Sequence, residues 1–149
     1  VSPLRLFRTT AVAEAITWAL LLLGMFLKYV TETTDAAVSI FGPIHGVAFI
    51  AYGLTAILVA VDQRWSTART GLALLAAIPP FFTVLFDVLA ERRGAFTDSW
   101  RLRSSESQRP LDRPVAWLLR NPGRGAVAGA VAVVVLTGVA LAVGPPVGG

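Results

Sequence analysis

The chain has 149 residues, 55% apolar and only 15% charged, with a formal net charge of +4 and no cysteine. Soluble domains carry about a quarter charged residues, so this composition excludes an ordinary soluble enzyme or binding domain. Without thiols there are no disulfides and no cysteine metal sites.

Four apolar runs dominate the chain: Leu6–Leu27, Ser39–Val61, Thr70–Leu89 and Ala126–Val143. A bilayer core of about 30 Å needs roughly 20 helical residues, so each is long enough to span. Their runs of Leu, Ala and Val lack the alternation of barrel strands, and helices satisfy their backbone groups within one segment. The sequence predicts an all-α, polytopic transmembrane bundle of four spans. Its parts are a three-helix core over residues 1–91, an Arg-rich loop over 92–124, and a fourth helix with a short tail over 125–149.

Arg5 and Arg8 precede the first run like the n-region of a signal peptide. The apolar stretch behind them carries Glu14 and runs into Lys28-Tyr29-Val30 without a small-residue cleavage site, so a retained span is expected. An ionised acid near mid-membrane costs about 2.5–3.5 kcal/mol, while each Leu returns only about 0.3–0.6. Glu14 is therefore expected to face the bundle, where Thr17 and Trp18 share its face.

The second run opens with Gly42-Pro43-Ile44-His45-Gly46. Pro43 suits a first helical turn. Gly42, Gly46 and Gly53 leave one side nearly bare and predict close helix packing there. His45, Phe49, Tyr52 and Ala56 form a different, partly polar face. His45 is the sole histidine, so with no cysteine a zinc site is not expected. In the third run, Pro79-Pro80 removes two N–H donors near the middle and predicts a kink.

Threading four antiparallel spans places Lys28, His45 and Asp87 toward one side of the membrane, with Glu14 about 20 Å away from it. Glu14, Lys28, His45, Tyr52 and Asp87 form a candidate intramembrane polar cluster, with Lys28 and Asp87 as a possible ion pair.

Eight arginines and four acids lie between the third and fourth runs. This threading gives nine basic residues on the loop side against four on the other, so both termini are expected outside and the loop inside. Leu111, Val115, Leu118 and Leu119 share a face, which predicts a short interfacial helix near Leu111–Arg120 in contact with anionic lipid. The sequence shows no folded basic domain around these arginines, so no nucleic-acid partner is expected. The last run holds Gly125-x-x-x-Gly129, a small surface for packing against another helix.

The first three runs resemble a bacterial family of small integral membrane proteins with a His-Gly pair, a domain of unknown function. Arg8, Ala13-Glu14, Lys28-Tyr29, Gly42-Pro43-Ile44-His45-Gly46, Arg64-Trp65-Ser66, Pro80-Phe81 and Asp87 carry the resemblance over about residues 5–91. It implies a fold and a membrane location but no reaction. No nucleophile–base pair, phosphate loop or HExxH motif appears, so neither enzymatic activity nor a cofactor is expected. The reading is a multi-pass plasma-membrane protein acting as an accessory or structural component, homo- or hetero-oligomeric through its helices. The alternative is a proton-coupled transporter or transporter subunit using the polar cluster.

Overall fold

The computed structural model describes residues 1–106 and 109–144. The short tail of the last segment, 145–149, lies outside them. Among the described residues there are helices and no strands: α1 (Pro3–Tyr29), α2 (Ala36–Asp62), α3 (Thr67–Leu75), α4 (Phe82–Arg92), α5 (Asp112–Arg120) and α6 (Pro122–Val143), with a single 3-10 turn at Arg101–Arg103. Three of them, α1, α2 and α6, are long and apolar enough to cross a membrane.

Helix α1 starts at Ser2, whose hydroxyl accepts from the Arg5 amide (3.2 Å), with Pro3 in the first turn. At 1.5 Å per residue, its 27 residues give about 40 Å. Helix α2 is equally long and returns antiparallel beside it. Gly24 lets the two backbones approach, for a Cβ there would lie 3.0 Å from the Val38 nitrogen. The glycines expected to do this, Gly42, Gly46 and Gly53, have nothing within 4 Å of such an atom. The correction has a simple cause. Helix α2 turns His45, Tyr52, Ala56 and Val59 inward, so its glycine side faces away from the rest of the chain.

The third apolar run is not a continuous, kinked span. Helix α3 stops at Leu75, Pro79-Pro80 lie in the following turn, and α4 begins after Phe81, whose φ is +68°. A left-handed residue other than glycine costs roughly 1–2 kcal/mol, and here it reverses the chain. The contacts made by the two arms show the reversal. Trp65, just before α3, donates its indole N–H to the Ala95 carbonyl just after α4 (2.8 Å). Passing down α1, Arg8 meets Asp87, Glu14 meets Thr83, and Trp18 meets Ala77. The segment therefore descends to mid-bundle and comes back to the end from which it started.

Tyr52 donates to the Ala73 carbonyl (2.8 Å) and Trp18 to that of Ala77 (3.4 Å), supporting the backbone where the helix stops. An aromatic cluster closes the shared end. Phe7 lies 5.4–5.8 Å, ring centre to ring centre, from Tyr52, Trp65, Phe86 and Phe96.

The Arg-rich segment is folded rather than merely solvated. Asp62, fully buried at the end of α2, accepts from the amides of Arg101 (3.0 Å) and Leu102 (2.8 Å). Arg101 returns its Nε to the Asp62 carbonyl (2.7 Å) and an Nη to that of Val61 (3.2 Å), so α2 ends in a cationic cap. Buried Asp112 receives Arg101 and Arg109 at 3.4 and 3.5 Å. The short helix expected near Leu111–Arg120 is present as α5. It buries Val115, Ala116 and Leu119 against the core and leaves Leu111 and Trp117 exposed. Helix α6 leaves this end and has no buried residue along its length.

Candidate functional site

Polar groups of α1 and α4 fall into register because each helix presents one per turn, on α1 two side chains and, at Ala11, a backbone carbonyl. Arg8, Ala11 and Glu14 recur every three residues, and Thr83, Asp87 and Glu91 every four, so each set lines one face. Antiparallel packing brings the two faces together. At the open end, Arg8 bonds Asp87 through Nε (2.8 Å) and Glu91 through Nη2. One turn deeper, the Thr83 hydroxyl lies 2.8 Å from Glu14 Oε2 and 3.1 Å from the Ala11 carbonyl. Glu14 is fully buried and Asp87 is 1% exposed. Glu14 Oε1 and Asp87 Oδ1 are buried yet accept no hydrogen bond.

His45 continues the line into α2. Its Nδ1 lies 2.9 Å from the Thr17 hydroxyl, which also bonds the Glu14 carbonyl (2.8 Å). The imidazole packs on Trp18 at 4.5 Å between ring centres. Thr17 thus links His45 to the backbone of Glu14, and no direct bond joins the two titratable side chains.

The expected cluster is partly assembled and partly dispersed. Glu14, His45 and Tyr52 all face the interior, His45 and Tyr52 two turns apart on α2. Lys28 does not pair with Asp87; its ammonium lies 5.2 Å over the Tyr29 ring at the far end of α1. The cause is the reversal after Pro79-Pro80, which carries Asp87 to the Arg8 end. Of the two glycines expected to pack α6, Gly125 lies against α5, where a Cβ would run into the Leu118 carbonyl. Gly129 has nothing within 4 Å of such an atom.

Four contributors escaped the sequence reading: Arg8 as the partner of Asp87, Thr83 as the partner of Glu14, and Asp62 and Asp112 as anchors of the Arg-rich segment. Thr83, Asp87 and Glu91 left a visible signal, a polar residue once per turn on an otherwise apolar helix. Asp62 left one too, as the acid that ends a long apolar run. No group of three or more His, Cys, Asp or Glu side chains among the described residues is arranged to hold a metal ion.

Comparison with known proteins gives the same boundary as the polar register. A Streptomyces coelicolor protein described as a membrane protein is 52% identical over 92 residues, which cover 61% of this chain. The chain spans only 11% of that relative's length. No solved structure matches. Residues 4–92, from the first turn of α1 to the end of α4, match the family described as Domain of unknown function (DUF3817). The chain belongs to that family of membrane proteins.

Proposed function

We infer that the chain is a multi-pass plasma-membrane protein with three crossing helices and one re-entrant hairpin, serving as an accessory component that holds other membrane proteins or copies of itself. In this reading α1, α2 and α6 cross, while α3 and α4 enter and leave on one side. Two termini-bearing helices, α1 and α6, then point their outer ends to opposite sides. Twelve of the thirteen basic residues fall at the hairpin's open end, with Lys28 alone at the other. The positive-inside rule assigns that end to the cytoplasm. Arg92, Arg93, Arg113 and Arg124 are placed there to meet anionic headgroups.

The observation that carries the accessory role is how the buried polar groups are used. Arg8–Asp87, Glu14–Thr83 and Thr17–His45 each tie two helices together, which is what interhelical polar contacts do in lipid. The bare Gly42-Gly46-Gly53 side of α2 is left as a docking face for a partner helix. No reaction is assigned. Purification from mildly solubilised membranes tests this: a stoichiometric partner or defined oligomer is expected, and a lone monomer at every detergent concentration contradicts it.

A second reading, proton-coupled transport, rests on the two acid oxygens that accept no hydrogen bond, Glu14 Oε1 and Asp87 Oδ1. They extend from the open end of the hairpin toward mid-bundle, with His45 beyond. In proteoliposomes this reading requires pH-driven flux that Glu14→Gln abolishes while the protein stays folded. Absence of flux leaves the accessory reading alone.

A further inference from the structure

A crevice of about 670 Å³ runs between α2 and α6, on the side of α2 away from the hairpin. Leu54 and Leu58 form one wall, Leu118 and Leu119 of α5 its upper part, and Gly129 and Ala132 of α6 the other wall. Its size falls in the range of small-molecule sites. At the Arg-rich end it meets a second, polar cavity of about 340 Å³, and Val1, Trp100 and Arg103 line both. Ser2, Asp98, Ser99 and Ser104 complete the polar part. A long apolar slot under a small polar chamber has the shape of an amphiphile.

The charges narrow the choice. Arg103 is exposed and forms no ion pair or hydrogen bond through its side chain among the described residues, and the same holds for Asp98. The two do not pair with each other, though they border one chamber. A cation and an anion held apart in this way complement a headgroup that carries both signs. Arg103 offers planar donors for a phosphodiester, and Asp98 offers an acceptor for a primary ammonium. A purely anionic headgroup would leave Asp98 opposed. Trp100 at the boundary matches the aromatic residues that mark headgroup depth.

We propose that this compound cavity binds one zwitterionic aminophospholipid, phosphate on Arg103, ammonium on Asp98, and an acyl chain in the slot between α2 and α6. The small residues of α6 keep the slot open. A side chain at Gly129 meets no atom within 4 Å of its Cβ and projects into free space, so Gly129→Leu fills the slot without straining the backbone.

The test is native mass spectrometry of the full chain released from nanodiscs made with equal parts of ethanolamine, glycerol and choline phospholipids. One ethanolamine phospholipid per chain is expected, favoured at least fivefold over the glycerol lipid. Arg103→Gln and Asp98→Asn should each erase that preference. Gly129→Leu should lose retained lipid of every class, with helix content unchanged, whereas Val131→Leu on the outer side of α6 should behave as the parent. Equal or tighter retention of the glycerol lipid overturns the headgroup assignment. Full retention in Gly129→Leu overturns the site. A dimer that Gly129→Leu dissociates assigns the slot to a second copy and overturns the lipid.

Discussion

The hairpin-bearing part of the chain and the terminal helix hold together by different means. Between α1, α2 and the α3–α4 hairpin, polar side chains join neighbours at every level, from half-exposed Arg8 on Asp87 to buried Glu14–Thr83 and Thr17–His45. Helix α6 has no buried residue and no charged group beyond Arg124 in its first turn. Within lipid, apolar side chains gain little from leaving one apolar environment for another, so association relies on close packing and polar contacts. The first region has both. The second lies along α2 through apolar side chains alone and is fixed by its junction with α5, where Gly125 meets Leu118 and where Asp62, Arg101 and Asp112 hold the preceding segment in place. The family match ends at residue 92, where the polar register between α1 and α4 also ends.

If that contrast is right, the largest loss should come from the junction itself. Asp62→Ala leaves the Arg101 and Leu102 amides without their acceptor, while the Arg101 guanidinium keeps the Asp62 and Val61 carbonyls. At about 1–3 kcal/mol for each buried group left unpaired, a loss of about 3 kcal/mol is expected. It should appear as protease cutting near residues 95–106 while the hairpin stays protected. Equal exposure of both regions would erase the distinction between them.

Arg8→Ala comes next. Removing one partner of a fully buried pair costs about 3–5 kcal/mol, but Arg8 is 41% exposed and water screens part of the interaction. About 2 kcal/mol is expected in a thermal denaturation in detergent, and Arg8→Ala/Asp87→Leu together should recover most of it. No recovery would show that Arg8 acts elsewhere. Thr83→Val, isosteric but without a hydroxyl, should cost about 1 kcal/mol by taking a partner from Glu14. At the small end, Leu141→Ala on α6, where Leu141 is 66% exposed, should change stability by less than about 0.5 kcal/mol. A loss as large as that of Thr83→Val would give the outer end of α6 a packing role that the exposure of Leu141 does not show.

The three helices long and apolar enough to cross were legible in the sequence because length and continuous apolarity are what a bilayer selects. The amphipathic spacing of α5 and the inward set of His45, Tyr52 and Ala56 were legible for the same kind of reason, a helical period. The hairpin was not. An apolar window registers that a segment enters lipid and is blind to whether it leaves on the far side. Pro79-Pro80 announced an interruption, but a kink and a reversal begin with the same two missing donors, and the left-handed turn at Phe81 carries no glycine to mark it. Four crossings would put Asp87 at the Lys28 end, away from its partner Arg8. The charge distribution held the missing information. Four crossings divide the basic residues nine to four, a weak bias, whereas folding the third run back gathers all twelve arginines at one end. A consistent positive side was a reason to prefer the hairpin.

The re-entrant path is the claim on which the rest depends, and single cysteines test it directly, because the chain has none of its own. Ser66→Cys, Thr97→Cys and Glu32→Cys place one thiol before the hairpin, one after it, and one between α1 and α2. With a membrane-impermeant maleimide on intact cells and on inverted vesicles, residues 66 and 97 should label from the same, cytoplasmic side, and residue 32 only from the other. Labelling of 66 and 97 from opposite sides would mean that the third segment crosses the membrane, and would contradict the account.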